Sequence, residues 1–434
     1  MGRRRNIHRA TGCPAAAVVL GRTTSPTSRR KPMSTLAARP DARPATGRAV
    51  ALAGVLVVTM IGTTLPTSLY ATYEERLGFG VATVGVVFAT YAVGVIAALL
   101  VTGRWSDALG RRPVLAGGLL VAVLSDVVFL LADSVPLLLV GRVLSGVSAG
   151  VFVGTASVFV VETARGALGG RASDLAAAAN MGGLGLGPLV SAALVTWAPG
   201  PLHTSYVVHL GLAALGLLVV GLSAETSPRT RGASLAPLRP SLPPEVRPVF
   251  PRFAILAFAS FMVFGLYTAL VPTIASQVLD VTAPLAVAAI VAIAFGGSIL
   301  SHQLTHHLAE RPATVLAVGL LVVGMALLAV GLLAGATWCV VLAGLLGGSG
   351  QGIAFARGLR AVGQASPPEQ RAAVTSTYFV VAYVAISLPV VAAGYAVAGW
   401  GVRPAGTGFA VVVAVLAAVA GALTVRQVPA SRGM

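Results

Sequence analysis

Long apolar runs alternate with short polar connections along most of this chain. A helix needs about 20 mostly apolar residues to cross a bilayer. Runs of that size fall near 49–70, 82–102, 113–132, 136–158, 175–197, 205–223, 253–277, 284–304, 313–334, 337–356, 373–398 and 406–424. We therefore predict an all-α integral membrane protein with twelve transmembrane helices, numbered below in chain order.

Composition agrees with a lipid environment. Of the 434 residues, 56% are hydrophobic and only 10% are charged, whereas soluble domains carry about 25% charged residues. The formal charge of +17 could indicate nucleic acid, but the basic residues form no face with interleaved aromatics. Cys13 and Cys339 are too few for a disulfide framework.

Arginine collects in alternate connections. The odd-numbered connections contain only Arg76 and Arg403. The even-numbered ones contain Arg104, Arg111, Arg112, Arg165, Arg171, Arg229, Arg231, Arg239, Arg247, Arg252, Arg311, Arg357, Arg360 and Arg371. Because short cytoplasmic loops are enriched in basic residues, we predict a multi-pass protein of the inner (plasma) membrane with both termini in the cytoplasm.

Two polar segments divide the chain. Residues 1–47 are rich in Arg, Pro, Ser and Thr, so we expect a disordered basic segment; the alternative is an arm that contacts anionic lipid headgroups. Met33 is a second possible start. Residues 225–252 form a cytoplasmic linker between two six-helix halves, 48–224 and 253–425, and residues 426–434 form a short cytoplasmic tail.

The halves show traces of an internal repeat. Arg112-Pro113 aligns with Arg311-Pro312, and Gly187-Pro188 aligns with Leu388-Pro389, at offsets of similar size. This predicts two pseudo-symmetric six-helix bundles related along the membrane normal. In transporters of that architecture the substrate site lies between the halves near the midplane.

The connection between helices 2 and 3 reads GRWSDALGRR at 103–112. In a twelve-helix chain this stretch resembles the signature of the major facilitator superfamily, most closely its bacterial drug/proton antiporter-type members. Ala108 departs from the usual basic residue, and the second copy is worn, with His306 and Ala309 at the Asp107 and Gly110 positions. The resemblance implies secondary transport by alternating access.

The same connection suggests a conformational latch. Gly103 allows a close helix approach, and Gly110 suits a turn with positive φ. A helix N-terminus stabilises a carboxylate, and the resemblance implies that Asp107 meets the start of helix 11, near Ala372, when the cytoplasmic side closes. The proposed latch comprises Gly103, Asp107, Gly110, Arg111, Arg112, Glu162 and Arg165. The alternative is that these charges only set topology.

Ionisable residues inside the bilayer are functional candidates. Asp126 in helix 3 and Arg142 in helix 4 each lie eight positions from residue 134, which predicts similar depth, roughly 10 Å below the surface, and an ion pair. Arg142 also opens R-xxx-G-xxx-G, which resembles the helix 4 motif of proton-coupled members. Asp126, Arg142 and Asp174 are thus candidates for proton coupling; the alternative is a static pair.

Helix 5 carries a glycine–proline motif. Gly183, Gly187 and Pro188 resemble the core of the antiporter signature of the superfamily, although Asp174 replaces its leading glycine. Proline frees a helical carbonyl and permits a kink. The alternative is a general packing motif.

The resemblance implies a central cavity lined mainly by helices 1, 4, 7 and 10. Its candidate polar and aromatic residues are Thr63, Thr64, Thr67, Tyr70, Tyr91, Ser145, Asn180, Tyr267, Gln277, Ser349, Gln351, Tyr378 and Tyr383. Such a cavity is mostly apolar and favours hydrophobic or neutral solutes. We expect proton-coupled export of small hydrophobic compounds; the alternatives are a sugar or metabolite porter and a non-transporting receptor.

Three motifs are typical of other kinds of site, but each lacks the structural setting that such a site requires. Residues 146–150 fit G-x-S-x-G inside a spanning helix, His302, His306 and His307 have metal-like spacing in the worn loop, and the glycines at 182–187 lack a preceding strand. We therefore expect no enzyme activity, cofactor, metal or nucleic acid, and a monomer that binds a small-molecule substrate, protons and the lipid bilayer.

Overall fold

The computed structural model describes residues 42–164, 166–168, 170–227 and 235–427. Within these ranges twelve helices are long and apolar enough to span a membrane, which confirms the predicted all-α fold. They are α1 (Ala45–Leu77), α2 (Val81–Thr102), α3 (Arg111–Leu130), α4 (Val135–Ala164), α5 (Arg171–Trp197), α6 (Pro201–Leu222), α7 (Phe250–Ala269), α8 (Pro284–Thr305), α9 (Glu310–Ala334), α10 (Thr337–Ala365), α11 (Arg371–Trp400) and α12 (Val402–Thr424).

Two of the helices are interrupted near prolines. In α1 the helical backbone begins at Ala42 and changes to a 3-10 turn over Leu65–Leu69, which contains Pro66. The seventh run ends as a helix at Ala269, and a separate short helix, Val271–Val278, follows. Because proline has no N–H to donate, each interruption costs few additional hydrogen bonds.

Two of the predicted segment boundaries differ from those in the structure. Residues 42–47, which the sequence assigned to a disordered segment, are helical and lead into the apolar run of α1. The rest of that segment, and residues 428–434 of the predicted tail, lie outside the described residues. The linker ends earlier than predicted, since α7 begins at Phe250.

Matching glycine contacts occur in both halves. A Cβ atom at Gly94 of α2 would overlap the Val143 carbonyl of α4, and one at Gly146 of α4 would overlap the Tyr91 carbonyl of α2. Gly297 of α8 and Gly348 of α10 meet in the same way. Glycine lets two helix backbones approach this closely, so the same close crossing is built twice in the chain.

The two faces of the bundle differ. We call the face with the connections 103–110, 223–227, 235–249, 306–309 and 366–370 the arginine-rich face, and the other the opposite face. Near the opposite face α2 and α11 touch, because Gly85 lies beside the Val390 carbonyl and Gly394 lies beside the Val81 carbonyl. The two halves are therefore packed together on that side.

Candidate functional site

A central cavity of about 300 Å³ lies between the two halves. Its walls come from α1, α2, α4 and α5 of the first half and from α7, α8, α10 and α11 of the second. It reaches Asp174 and His302 at the ends of α5 and α8 that point to the arginine-rich face. The cavity thus extends toward that face, while the opposite face is closed.

Aromatic side chains dominate the cavity wall. They are Phe88, Tyr91, Phe261, Phe264, Phe295, Phe355, Phe379 and Tyr383. Several stack on one another, such as Phe264 on Phe295 with ring centroids 4.4 Å apart. The polar lining residues include Gln351, which is held in place because its Oε1 accepts a hydrogen bond of 2.8 Å from Ser298 Oγ. Such a wall offers mainly apolar contact area together with fixed polar anchors.

Six of the thirteen residues predicted for the cavity line it. These six are Thr63, Thr64, Tyr91, Asn180, Gln351 and Tyr383. The other seven are Thr67, Tyr70, Ser145, Tyr267, Gln277, Ser349 and Tyr378, and placing them in the cavity wall is wrong. An apolar run shows that a helix crosses the membrane, but its composition does not show which side of the helix faces the cavity.

The seven residues that do not line the central cavity lie elsewhere in the structure. Tyr267 and Tyr378 are buried within the second half and donate to the carbonyls of Val340 and Phe253, while Ser349 Oγ donates to the Gly297 carbonyl. Gln277 is exposed on the short helix Val271–Val278. Two more, Thr67 and Tyr70, are buried near the 3-10 turn of α1, and Ser145 lines a second, smaller cavity.

Arg142 is buried, with 1% of its surface exposed, and borders the central cavity. Its Nη1 donates to the Thr63 carbonyl at 2.7 Å, and its other nitrogens donate to Val87 and Phe88 carbonyls at 3.3 Å. The guanidinium also lies 4.8 Å from the ring centroid of Tyr91, within cation–π range. Backbone dipoles and a ring therefore stabilise this cation.

The predicted ion pair between Asp126 and Arg142 is wrong. Asp126 instead contacts His209 of α6, whose Nδ1 lies 2.8 Å from Asp126 Oδ2. Counting residues from the turn does not show on which side of its helix each side chain lies. His209 was missed, although the rule that selected Asp126, an ionisable residue within an apolar run, selects His209 equally.

Asp174, the third candidate for proton coupling, lies across the interface from the second half. One of its carboxylate oxygens is 3.6 Å from His302 Nε2 of α8. About half of the Asp174 side chain is exposed, so water screens this pair.

The latch connection forms a charged network within the first half. Arg111 donates to Asp107 at 2.6 Å and to Glu162 of α4 at 3.2 Å. Gly110 has a φ of 106°, which only glycine adopts easily. Arg112 donates to the Gly221 carbonyl at the end of α6. Arg165 lies outside the described residues.

Asp107 does not reach α11 in this conformation. Its side chain is 60% exposed, and among the described residues Arg111 is its ion-pair partner. The approach to Gly103 is made by Leu238 of the linker, whose N–H donates to the Leu100 carbonyl at 2.6 Å. The predicted contact of Asp107 with the start of helix 11 remains a prediction for the conformation closed at the arginine-rich face.

The linker touches both halves at the arginine-rich face. Leu235 accepts a hydrogen bond of 3.1 Å from Trp105 Nε1 in the latch connection. A few residues on, Ser241 Oγ donates to Gln370 Oε1 beside the start of α11 at 2.9 Å, and Ser241 N–H donates to Thr377 Oγ1 at 3.0 Å. Movement of the halves at this face must therefore rearrange the linker.

Glu225, which the sequence did not single out, caps α3. Its carboxylate accepts from the backbone N–H groups of Arg111 at 2.9 Å and Arg112 at 3.1 Å. Partial burial raises the pKa of Glu225, but the backbone N–H donors lower it by more, so the pKa lies below its usual value. The helix N-terminus thus favours the ionised carboxylate.

The helix 5 motif packs α5 tightly on α1. A Cβ atom at Gly183 or Gly187 would overlap the α1 residues. Pro188 has no N–H, which leaves the Leu184 carbonyl without its helical donor. Thr64 Oγ1 of α1 donates to that carbonyl at 2.8 Å. The proline therefore creates an acceptor that joins the two helices.

The chain resembles known transporters. The family model described as Major Facilitator Superfamily matches residues 50–388. A stretch of 80 residues is 38% identical to the tetracycline resistance protein, class D, of Salmonella ordonez. That stretch covers 18% of this chain and 20% of that relative, so the match spans about one fifth of the relative's length.

Solved structures share the fold at low sequence identity. A bacterial homolog of the human lysosomal transporter Spinster, inward-facing and unoccupied, has a TM-score of 0.68 at 14% identity and covers 90% of this chain and 99% of its own. A variant of the nucleoside transporter NupG has a TM-score of 0.65 at 15% identity, and the match covers 86% of this chain and 98% of that one. The human organic anion transporter MFSD10 (TETRAN) has a TM-score of 0.64 at 18% identity, and the match covers 89% of this chain and 100% of that one.

Replacing Thr64 by valine keeps the shape but removes the donor to the Leu184 carbonyl. An unpaired buried carbonyl costs about 1–3 kcal/mol, so Thr64→Val is expected to lower the melting temperature of the detergent-purified protein by several degrees. Thr90→Val is the matched control, because Thr90 donates only within its own helix. Equal melting temperatures for the two variants would contradict the role given to Thr64.

The pH dependence of the melting temperature of Glu225→Gln tests whether the ionised Glu225 carboxylate caps α3. A carboxylate with a lowered folded pKa stabilises the protein fully above its unfolded pKa, about 4.3, and this stabilisation is lost as the pH falls through the folded pKa. The melting temperature of the wild type should therefore exceed that of Glu225→Gln at neutral pH, and the difference should shrink below about pH 4. A difference independent of pH would exclude the ionised cap.

Proposed function

This chain belongs to the major facilitator superfamily of secondary transporters, and we propose that it exports small, largely hydrophobic compounds in exchange for protons. The observation that carries the proposal is the central cavity, whose wall is mostly apolar and contains eight aromatic side chains. An apolar solute gains about 25 cal/mol for each Å² of apolar surface that it buries there. Arg142 adds one cation at the cavity edge, which favours a solute with an electron-rich group.

Three observations support export by proton antiport. The stretch similar to a tetracycline resistance protein points to drug export. The glycine–proline motif of α5 resembles the antiporter signature and joins α5 to α1 through Thr64. Arg142, in the motif that resembles proton-coupled members, borders the cavity.

The proposed location is the plasma (inner) membrane. The distribution of arginine places the arginine-rich face in the cytoplasm by the positive-inside rule. In that orientation the cavity extends toward the cytoplasm, from which an exporter takes up its substrate.

The latch is proposed to hold the alternate conformation. When the arginine-rich face closes, the Asp107 carboxylate loses part of its contact with water and contacts the N-terminus of α11, which begins at Arg371. In the present conformation Asp107 pairs with Arg111, and the linker lies between the latch connection and α11. Closure of the arginine-rich face therefore requires Asp107 to come into contact with α11 and the linker to leave its position between them.

Two alternatives have distinct consequences. A sugar or metabolite porter would move a polar solute, and one structural neighbour is described as a nucleoside transporter. A receptor on the same fold would move nothing, so reconstituted liposomes would show no flux for any solute. The apolar cavity wall favours the hydrophobic class over the polar one.

Everted membrane vesicles test the proposal. Respiration acidifies their interior, and an antiporter releases those protons when substrate is added outside. We expect tetracycline, or another hydrophobic compound of a panel, to dissipate the pH gradient in vesicles that contain the chain and not in vesicles without it. Downhill flux that is indifferent to a proton ionophore would contradict antiport, and flux of nucleosides or sugars alone would favour the alternative porter.

Asp107→Asn tests the latch. A carboxylate at a helix N-terminus contributes about 1 kcal/mol, so its loss should lower the population of the closed state and slow transport about fivefold, with normal expression and topology. Asp133→Asn, at an exposed position near the opposite face, is the control. A wild-type rate for Asp107→Asn would leave only the topological role for these charges.

A further inference from the structure

A buried acid–base pair lies in the first half, outside the central cavity. The His209 side chain of α6 is 3% exposed and the Asp126 side chain of α3 is 5% exposed. His209 Nδ1 is 2.9 Å from Asp126 Oδ1 and 2.8 Å from Oδ2. On the other side of the ring, Nε2 is 3.0 Å from the Val58 carbonyl of α1.

This geometry determines how many protons the pair holds. A carbonyl only accepts hydrogen bonds, so His209 Nε2 carries a proton and donates it to Val58. The contact between Nδ1 and the carboxyl group is a hydrogen bond only if a second proton lies between them. The pair therefore binds two protons and has no net charge, whichever partner holds the second one.

We propose that Asp126 and His209 form the proton-binding site of this transporter, which releases and takes up the proton between Nδ1 and the carboxyl group. The proposal rests on the proton coupling put forward above and names its site. Release sends one proton to water and leaves a carboxylate beside a neutral imidazole, so the charge of the pair changes from zero to −1.

Release of that proton must disturb the packing. Without it, one tautomer of His209 places an Nδ1 lone pair against the carboxylate at 2.8 Å, and the other places an Nε2 lone pair against the Val58 carbonyl at 3.0 Å. Two acceptors repel each other in either case, and a buried charge is costly in a low-dielectric interior. The deprotonated pair is therefore stabilised when α6 separates locally from α3 or α1, or when water enters.

The pair can act on the cavity through α1. His209 donates to the Val58 carbonyl, and its ring packs against Gly62, where any Cβ atom would overlap it. One residue later, the Thr63 carbonyl accepts from Arg142, and Thr63 borders the central cavity. A change at His209 therefore reaches a cavity-lining turn of α1 directly.

Other ionisable groups on the packed helices have their own partners or lie elsewhere. Arg142 of α4 donates to three carbonyls, and the hydroxyl of Tyr73 of α1 pairs with that of Tyr206 of α6. The remaining ionisable residues of α1, α3, α4 and α6 are Arg48, Tyr70, Glu74, Glu75, Arg76, Arg111, Arg112, Glu162 and His203. None of them contacts the pair among the described residues, so its protonation depends mainly on its own two members.

A polar route leads from the central cavity to the pair. Asp126 and His209 border a second cavity of about 10 Å³, enough for one water molecule. The hydroxyls of Ser145 and Ser148 of α4 line it and are buried without a hydrogen-bond partner among the described protein atoms. Thr63 borders both cavities. A water molecule held by these hydroxyls would carry the proton past Thr63.

Infrared difference spectroscopy of the purified full chain, without any substrate, tests the site. Between about pH 5 and about pH 9, the wild type should show carboxyl and imidazole bands that titrate together. Asp126→Asn should remove the carboxyl band, and His209→Gln should shift its midpoint. Both variants keep a donor for the buried acceptor, since the Asn amide can donate to Nδ1 and the Gln amide to Val58.

Asp133→Asn is the matched control, because Asp133 is exposed after α3 and its loss should leave the bands of the pair unchanged. Size-exclusion chromatography establishes that each variant is folded, and His209→Gln supplies the test if Asp126→Asn is not. Spectra of both variants identical to the wild type would overturn the proposal.

Transport separates this proposal from the proposed function. In everted vesicles Asp126→Asn should abolish substrate-induced proton release while downhill tetracycline efflux persists. If the wild type releases no protons with any compound, the proposed antiport fails, whatever the spectra show. If the wild type releases protons and Asp126→Asn does so equally, antiport stands and the assignment of its site is wrong.

Discussion

Two successive turns of α1, from Val58 to Thr64, supply hydrogen bonds to three other helices of the first half. The Val58 carbonyl accepts from His209, the Thr63 carbonyl accepts from Arg142, and the Thr64 hydroxyl donates to Leu184. In a bilayer no water replaces a missing partner. Helices α4, α5 and α6 are thus each hydrogen-bonded to the same seven-residue stretch of α1.

Small residues make these hydrogen bonds possible. Gly62 leaves room for the His209 ring, and Gly183 and Gly187 bring the backbone of α5 close to α1. Because lipid gives little hydrophobic force between helices, close packing and interhelical hydrogen bonds stabilise the bundle. The same stretch contributes Thr63 and Thr64 to the cavity wall, so these interhelical hydrogen bonds lie next to the central cavity.

The charged network at the arginine-rich face is arranged differently. Arg111, Glu162 and Glu225 join α3, α4 and the linker within the first half, and the worn second copy of the motif offers no equivalent acid at His306. The contacts between halves at this face run through Ser241 and Gln370 and through the partly exposed Asp174 and His302. Such exposed contacts are weak, which suits a face that has to open and close.

The sequence was sufficient for the number and type of helices, since length and apolar composition alone determine whether a segment can span lipid. It also identified the motif glycines, Asp126 and Arg142. It failed for the partners of the buried charges, because position along a helix gives depth but not direction. Glu225 could not have been found, as nothing in a loop sequence shows which helix N-terminus lies nearby. His209 could have been, by the rule applied to Asp126.

If Asp126 and His209 form the proton-binding site, alternating access requires their protonation to be coupled to the balance between two arrangements of the halves. Spin labels at Arg104 and Glu369, exposed on either half at the arginine-rich face, and at Leu131 and Trp338 at the opposite face, report both separations by pulsed electron resonance. We expect a change of pH to move the two distances in opposite senses, and Asp126→Asn to abolish this response. Distances that ignore pH, or that respond equally in Asp126→Asn, would contradict this coupling.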